Sequence, residues 1–312
     1  MALPTIKPII LSYNMPEEAS RLYKKLQADG FSDVLLVDNG SDMHPPSPHA
    51  NFRLPKNIRA NGQARMALIY SMDYFPADYY WLISTSADLY PQANYRQAIE
   101  ASLSRLSAFR VGVLSPTFDC PTALPAQQHL SANAPETTSI CFFLEATANV
   151  LAHNLLEKCR EDGAAFFETR LTRGWGCDYE LCHEAVLHGF WCMADQAIAA
   201  GWKRNLGYHK GVGGESIQHY YDQASAEMNA VMADKYGERW IMNFLRDFTS
   251  AVKRSSPPLP VQYHSHFSSG PYEGPSMLQS LTNRTKDILK NGLRRTPLAK
   301  ARSILRMLRS RF

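Results

Sequence analysis

Three acidic side chains follow an apolar run or a pair of glycines, which are places where proteins often bind ligands. Asp38 and Asp88 each come after an apolar run, and Asp178 comes after Gly174–Gly176. A carboxylate can hold a divalent cation that neutralises phosphate charge, or it can take a proton from a hydroxyl group. These three side chains are therefore candidates for metal binding or for acid–base chemistry.

The elements that must position these residues follow from apolar runs and helix signals. Ile6–Ser12 is an apolar run, and Asn14 is the predicted N-cap of a helix that extends to about Asp29. Val34–Val37 is a second buried strand, which completes a βαβ unit and predicts a parallel sheet. Ligands of such sheets bind beyond the carboxyl ends of the strands. The predicted ligand edge contains Ser12, Tyr13, Asp38 and Asn39.

Further strands are predicted at Tyr79–Ser84, Val111–Ser115 and Ile140–Leu144, and further helices at Gly62–Tyr74, Asn149–Cys159, Tyr179–His188 and Ile217–Tyr236.

Composition indicates a packed globular chain. Of the 312 residues, 45% are hydrophobic and 20% are charged, which excludes wholesale disorder and fits one large α/β domain or two modest ones. The six cysteines form no Cys-x-x-Cys pair, so neither a structural zinc site nor a disulfide-dense scaffold is predicted. The sequence contains no stretch of about 18 consecutive apolar residues, so no membrane-spanning helix is predicted. The expected location is cytoplasmic.

Positive charge is concentrated in the C-terminal segment. Residues 277–312 contain ten basic residues and one acidic residue, so the rest of the chain has a net charge of −5 within an overall +4. Apolar residues recur there at three- and four-residue steps, which is typical of an interfacial helix facing anionic lipid. A basic helix packed on the acidic body, or an oligomer contact, explains the same pattern. Residues 277–312 are therefore predicted to be a basic amphipathic tail that holds the protein peripherally at the inner face of a membrane. Nucleic acid is the less favoured partner.

Five segments, taken in order, resemble an inverting GT-A glycosyltransferase of the family-2 type. The resemblance covers residues 7–240 and continues in His209 and Ser216. The segments are PIILSYN (8–14), LVDNGSD (36–42), NIRANGQARMA (57–67), WLISTSAD (81–88) and GWGCDYELC (174–182). The resemblance implies an α/β GT-A fold, a mixed, mostly parallel sheet flanked by helices with a helical C-terminal extension. It divides the chain into a nucleotide-sugar-binding half (1–115), an acceptor-binding and catalytic half (116–252), a linker (253–276) and the tail.

The resemblance implies transfer of a single sugar from a nucleotide-sugar donor to a glycan or lipid-linked acceptor, in surface-polysaccharide synthesis. UDP- and dTDP-sugars are favoured, because stacking by Tyr13 and hydrogen bonds from Asp38 suit uracil or thymine. An Asp-Asn-Gly segment after a strand is also an ordinary turn. The implied nucleotide-binding residues are Ser12, Tyr13, Asp38, Asn39 and Arg65.

Asp88 and His209 are the metal ligands that the resemblance implies, with Mn²⁺ or Mg²⁺ as the ion. Asp88 lies at the position of the family's DXD motif, but Ser86 replaces the first aspartate. The ion must then depend more on the diphosphate, on His209 and on water. The alternative for Asp88 is a turn or cap residue.

Asp178 is the implied general base, since inversion needs a carboxylate opposite the leaving group. Its alternative role is an N-cap of the following helix. Trp175 offers a flat face to an acceptor sugar, and Lys210 and Ser216 are the remaining predicted acceptor or diphosphate contacts. Cys177 stands where the family usually has glutamate.

The segment His183–His188 resembles the helix of zinc proteases but lacks its spacing. Two zinc-binding histidines on one helix face are four residues apart, whereas these two are five apart. They are therefore not expected to bind one ion together.

Two other classes of protein remain open. A nucleotidyltransferase would need a basic phosphate-binding loop after the first strand, and Ser12-Tyr13-Asn14 is not one. A non-catalytic nucleotide-binding protein, with a tail that binds nucleic acid or membrane, fits the altered segment Ser86-Ala87-Asp88. Transfer or hydrolysis of a donor separates these possibilities.

Overall fold

The computed structural model describes residues 3–119, 128, 138–203, 206 and 216–255. The linker beyond 255, the tail 277–312, His209 and Lys210 lie outside the described residues. Nine strands are described: β1 Ile6–Ser12, β2 Leu35–Asp38, β3 Phe52–Arg53, β4 Tyr79–Ser84, β5 Ala87–Asp88, β6 Val111–Phe118, β7 Thr138–Ile140, β8 Ala148–Ala152 and β9 Trp191–Trp202. The described helices are α1 Pro16–Ala28, α2 Arg59–Tyr74, α3 Tyr95–Arg105, α4 His153–Glu161, α5 Cys177–Leu187, α6 Ile217–Tyr236 and α7 Trp240–Arg254, with a 3-10 turn at Ala165–Phe167.

The strands form one mixed sheet in the order β3-β2-β1-β4-β8-β6-β9-β5, with β7 paired to β9. Strands β1 to β4 pair in parallel, and so do β6 and β9. Strand β8 runs antiparallel to both of its neighbours, β4 and β6. The α/β class that the resemblance implies, a mixed sheet flanked by helices, is confirmed, and the described part ends in two helices.

Side chains of the central strands alternate between two apolar layers. Ile9 and Leu82 belong to one layer, with α2, α4 and α5, while Ile10 and Trp81 belong to the other, with α1 and α3. Trp81 is fully buried, and its indole N–H donates to the backbone oxygen of Ala148 over 3.0 Å. Because both faces of the sheet are covered, the central strands are apolar throughout, as the sequence predicts.

Two predictions for the region between β6 and α5 are wrong. The strand predicted at Ile140–Leu144 is wrong, since β7 ends at Ile140. The helix predicted from Asn149 is wrong in its first turn, because Ala148–Ala152 is a fully buried strand and α4 begins at His153. A short apolar run before a helix has no periodicity that separates strand from helix, and its pairing with β4 decides the outcome.

None of the helices that the structure describes is both long and apolar enough to cross a membrane.

Candidate active site

Four residues lie at the carboxyl ends of β1 and β2, as predicted, and are called the strand-end cluster: Ser12, Tyr13, Asp38 and Asn39. The parallel register pairs Ser12 with Asp38, and the backbone N–H of Asn39 donates to the Ser12 oxygen over 2.8 Å. The Ser12 hydroxyl is buried without a hydrogen-bond partner in the described part of the chain. A buried hydroxyl of this kind is free to accept or donate one bond to a ligand.

Asp38 and Asn39 already have protein partners. The buried Asp38 carboxylate accepts from the Ser41 N–H (2.9 Å) and the Ser41 hydroxyl (2.5 Å). The Asn39 side chain accepts from the Ile58 N–H (3.0 Å) and donates to the Asn57 side-chain oxygen (3.0 Å). Both side chains hold the loops around the strand ends in place, so they shape the site whether or not they also touch a nucleotide.

Tyr13 and Asn14 converge on one exposed carboxylate. The Tyr13 hydroxyl (3.1 Å) and the Asn14 amide (2.9 Å) both donate to Asp42 Oδ1, and these bonds, Asn14's first, hold the pKa of Asp42 below its ordinary value. The prediction of Asn14 as N-cap is wrong, because the N-cap position of α1 is Met15. Asn14 instead has φ = 55° and accepts from the backbone N–H groups of Asp42 and Met43.

Gly40 is required by the turn that follows the strand-end cluster. Its φ is +67°, and a Cβ on Gly40 would collide with the backbone of Lys56, within 2.6 Å of Lys56 Cα. Gly163 has a similar φ of +59°, but nothing lies within 4 Å of the Cβ it would carry. Alanine substitutions at the two positions therefore separate the free-energy cost of a left-handed backbone from the additional cost of a steric collision.

We expect Gly40→Ala to lower the free energy of unfolding by about 3 kcal/mol and Gly163→Ala by about 1 kcal/mol. The first substitution adds a backbone collision to the left-handed strain that both share. Urea unfolding monitored by circular dichroism measures both values. Equal losses for the two variants would contradict the close approach of Gly40 to Lys56.

Helix α2 is tied to the strand-end cluster through Gln63. Its side-chain amide donates to the backbone oxygens of Ser12 (3.1 Å) and Val37 (2.9 Å). Arg65, two residues later, is half-buried, and no hydrogen bond or ion pair joins its side chain to another residue in the described ranges. Its guanidinium has donors to offer a phosphate, and its predicted role stays a prediction.

The segment Gly174–Gly176, called the glycine loop, packs against the beginning of α2. A Cβ on Gly174 would lie 3.5 Å from Ala60 Cβ and 3.7 Å from the backbone nitrogen of Asn61. The Asn61 amide donates to the Glu168 backbone oxygen over 2.8 Å. Since Asn39 holds the residues just before α2, the structure brings the glycine loop beside the strand-end cluster.

Helix α6 holds the other side of the glycine loop. Glu227 accepts from the Arg173 N–H (2.9 Å), the Arg173 guanidinium (3.0 Å) and the Thr172 hydroxyl (2.8 Å). The ring of Trp175 lies 5.4 Å from that of Tyr221. The predicted acceptor residue Trp175 therefore has a second aromatic ring beside it, which the sequence analysis missed because α6 carries no motif.

Asp178 lies in the first turn of α5. The N-cap of this helix is Gly176, at φ = 94°, so Asp178 is not the cap. One carboxylate oxygen accepts from the Tyr179 N–H over 3.0 Å. Burial, and next the negative charge of Glu145, raise the pKa of Asp178 well above its ordinary value, against the opposing effect of backbone N–H groups. A carboxylate with a raised pKa is a better proton acceptor near neutral pH.

Glu145 was not predicted as part of the site. Its backbone N–H donates to the Gln128 side chain (2.7 Å), and its backbone oxygen accepts from the same amide (3.2 Å). The Gln128 amide also donates to the Ser115 hydroxyl over 2.7 Å, which ties Glu145 to β6. No spacing in the sequence links Glu145 to Asp178, since 33 positions and three elements separate them.

Asp88, the predicted metal ligand, has two cationic partners. Its carboxylate lies 2.8 Å from the Arg21 guanidinium and 3.8 Å from the Lys203 ammonium, and its side chain is 37% exposed. In the residues just before Asp88, the hydroxyls of Ser84 and Ser86 lie 2.9 Å apart, and the Ser86 hydroxyl also accepts from the indole N–H of Trp202. A divalent ion at Asp88 would first have to displace Arg21, so the metal site stays a prediction.

Of the remaining predicted residues, the structure describes Ser216. Ser216 is the N-cap of α6, and its hydroxyl accepts from the His219 N–H over 3.2 Å. His209 and Lys210 lie outside the described residues. Their predicted roles at the diphosphate stay predictions.

No family model matches the chain, and no curated protein matches it. Among solved structures, the chain is similar to a crystal structure of GalNAc-T7 with UDP, GalNAc and Mn²⁺, at 10% sequence identity and a TM-score of 0.48. The likeness covers 80% of this chain and 55% of that one, so this chain spans about half the length of the protein it matches. The class that the structure itself defines is an α/β protein whose polar site lies at the carboxyl ends of parallel strands.

Proposed function

We propose that the protein is a GT-A-type glycosyltransferase that moves a single sugar, with inversion, from a nucleotide-sugar donor to a glycan or lipid-linked acceptor. UDP- and dTDP-sugars are the favoured donors, and surface-polysaccharide assembly is the proposed role. The observation that carries the proposal is Asp178, a carboxylate of raised pKa in the first turn of α5, directly after a glycine loop that packs beside the strand-end cluster. Release of a nucleoside diphosphate from a sugar donor is the experiment that tests it.

The proposed chemistry is one proton transfer coupled to one displacement. The acceptor hydroxyl gives its proton to Asp178 while its oxygen attacks the anomeric carbon of the donor sugar. The bond from that carbon to the diphosphate breaks, and the nucleoside diphosphate leaves with the electron pair. The raised pKa of Asp178 suits this role, because a more basic carboxylate is a stronger acceptor for the proton of the hydroxyl group.

Trp175 and Tyr221 are proposed to bind the acceptor. Aromatic rings offer apolar faces to the C–H groups of a sugar ring, and the Tyr hydroxyl can hydrogen-bond at its edge. Glu227 holds the residues just before the glycine loop through Thr172 and Arg173, and the Trp175 ring packs beside the Tyr221 ring. A fixed ring loses little conformational entropy on binding.

The proposed ion, Mn²⁺ or Mg²⁺, would neutralise the leaving diphosphate as a Lewis acid. The described residues fit such an ion poorly. The segment Ser86-Ala87-Asp88 has a single carboxylate, and that carboxylate is already paired with Arg21 and Lys203. Where no ion is bound, the cations of Arg21 and Lys203 are the alternative source of that neutralisation. No step of the proposed transfer depends on the ion.

The basic tail is proposed to hold the enzyme beside a lipid-linked acceptor at an anionic membrane surface. Each basic residue near such a surface contributes about 1 kcal/mol, so a few of the ten suffice for binding. This proposal rests on the sequence of residues 277–312, which lie outside the described residues.

A non-catalytic nucleotide-binding protein is the second candidate. The observation in its favour is the pair of serine hydroxyls at Ser84 and Ser86, in the segment where a metal-dependent enzyme needs carboxylates. Such a protein would bind a nucleotide sugar without breaking it down.

A further inference from the structure

Three metal-ligating side chains meet at the far end of α5, outside the site described above. His188 Nε2 lies 3.0 Å from Asp162 Oδ2 and 3.3 Å from Glu184 Oε2. One ligand atom from each residue lies within 4.8 Å of the other two, and no other group of three such side chains was found within the described ranges. Ten residues of helix separate Asp178 from His188, or about 15 Å, so this group is distinct from the proposed catalytic site.

The positions of the three ligands are fixed by rigid elements. Glu184 and His188 are four residues apart, so they lie on one face of α5, and Asp162 is the C-cap residue of α4. Arg110 donates to the backbone oxygen of His188 over 3.2 Å. Glu184 is 4% exposed, and its second oxygen lies 3.5 Å from the Tyr236 hydroxyl. The ligands therefore need little reorganisation to bind an ion.

Charge balance favours a divalent cation over a protonated imidazole. Two carboxylates face the single Nε2 atom of His188, so a protonated ring would neutralise only one of them, and the ammonium groups of Lys235 and Lys158 act on the carboxylates from outside the cluster. The last residues of α4 and α5 add the negative ends of two helix dipoles. A divalent ion bound by neutral His188 would compensate both carboxylates, and Glu184 is buried enough for that compensation to matter.

Two of the three distances between ligand atoms are close to those of a tetrahedral site, and the third, between Asp162 and Glu184, is within 4.8 Å. With metal–ligand bonds of about 2.0–2.2 Å, neighbouring ligand atoms lie about 3.3–3.6 Å apart. The His188–Glu184 distance of 3.3 Å fits, and the His188–Asp162 distance of 3.0 Å needs an adjustment of a few tenths of an ångström. Asp162 and His188 are 50% and 30% exposed, which leaves room for an ion to enter and for water as a fourth ligand.

We propose that Asp162, Glu184 and His188 bind a Zn²⁺ ion that ties α4 to α5. An imidazole nitrogen with two carboxylate oxygens suits zinc, whereas Mg²⁺ prefers an octahedral set of oxygens. The spacing argument against a paired site of His183 and His188 still holds, since His183 is stacked on Phe244 and paired with Asp247. The zinc site uses the Glu184–His188 pair instead.

Isothermal titration of the untagged full-length protein with Zn²⁺, without any nucleotide sugar, tests the proposal. We expect one ion per chain and a rise in Tm with Zn²⁺ but not with Mg²⁺. His188→Gln and Asp162→Asn should each weaken Zn²⁺ binding at least about 100-fold and remove the rise in Tm. Asp162 is half exposed, so its variant is informative even if the His188 variant does not fold.

His153→Gln is the matched control. His153 pairs with Glu157 over 3.3 Å at the same four-residue spacing, but no third metal-ligating residue joins them in the part of the chain that the structure describes. This variant should bind Zn²⁺ like the parent. Absence of Zn²⁺ binding by the parent would overturn the proposal, and so would parental affinity in both cluster variants.

Discussion

Asp178→Asn is expected to reduce the turnover of sugar transfer by about 10²- to 10⁴-fold, while the affinity for the donor stays within about twofold. The amide keeps the size and the hydrogen bond to the Tyr179 N–H but cannot accept the acceptor's proton. Steady-state kinetics gives the turnover, and donor titration calorimetry gives the affinity. Near-parental turnover would rule out Asp178 as the general base.

The same variant is expected to be more stable than the parent at neutral pH. Asp178 has a raised pKa in the folded protein, so its contribution to stability is present below its unfolded pKa and is lost as the pH rises through the folded pKa. The Asn variant has no such loss. Its Tm advantage should therefore be absent below about pH 4, near the pKa of an unfolded Asp, and grow as the pH rises above it.

Asp222→Asn is the control for both measurements. Asp222 is an exposed acid on α6 that accepts from Gln218 over 2.9 Å, so its neutral form should match the parent in turnover and in Tm. A similar loss of turnover in this variant would show that the effect is not specific to Asp178.

Asp88→Ala is expected to weaken donor binding in the presence of Mn²⁺ at least about 100-fold, if the ion binds where the resemblance places it. Arg21→Ala is the paired variant. It removes the cation that lies 2.8 Å from the Asp88 carboxylate, so it should strengthen Mn²⁺-dependent donor binding. Titration calorimetry with a UDP-sugar, with and without Mn²⁺, measures both.

The opposite result has a definite meaning. If Arg21→Ala weakens donor binding and Asp88→Ala leaves it unchanged with and without Mn²⁺, the cations bind the diphosphate and Asp88 only positions them. That outcome would contradict the predicted metal site. It would leave the proposed transfer intact, since no step depends on the ion.

The strand-end cluster was predictable from the sequence, because an apolar run ending in polar residues shows both the strand and its end. The βαβ rule then brings Ser12 and Asp38 to one edge, and the register confirms it. Strand β9 was missed, because its polar residues Asp195 and Gln196 interrupt the apolar pattern at a shift in its register with β6. Asp195 is tolerated there because it is paired with Arg105.

The partners of the site residues could not be predicted, since each depends on a long-range contact. Glu145 acts on the pKa of Asp178 from a loop whose backbone is bonded to Gln128, and Glu227 reaches the glycine loop from a helix without a motif. The ion pairs of Asp88 arise in the same way, from α1 and from the end of β9. Sequence spacing identifies which side chains have suitable chemistry, but tertiary packing decides which charges surround them.

The central claim is that this protein transfers sugar from a nucleotide donor, and one measurement tests it most directly. The full-length protein is incubated with a panel of UDP-, dTDP-, GDP- and CMP-sugars, with and without Mn²⁺, and release of the free nucleotide is followed over time. We expect release of UDP or dTDP from at least one donor by the parent, and release at least about 100-fold slower by Asp178→Asn. Binding of a donor without any nucleotide release by the parent would contradict the claim and favour the non-catalytic alternative.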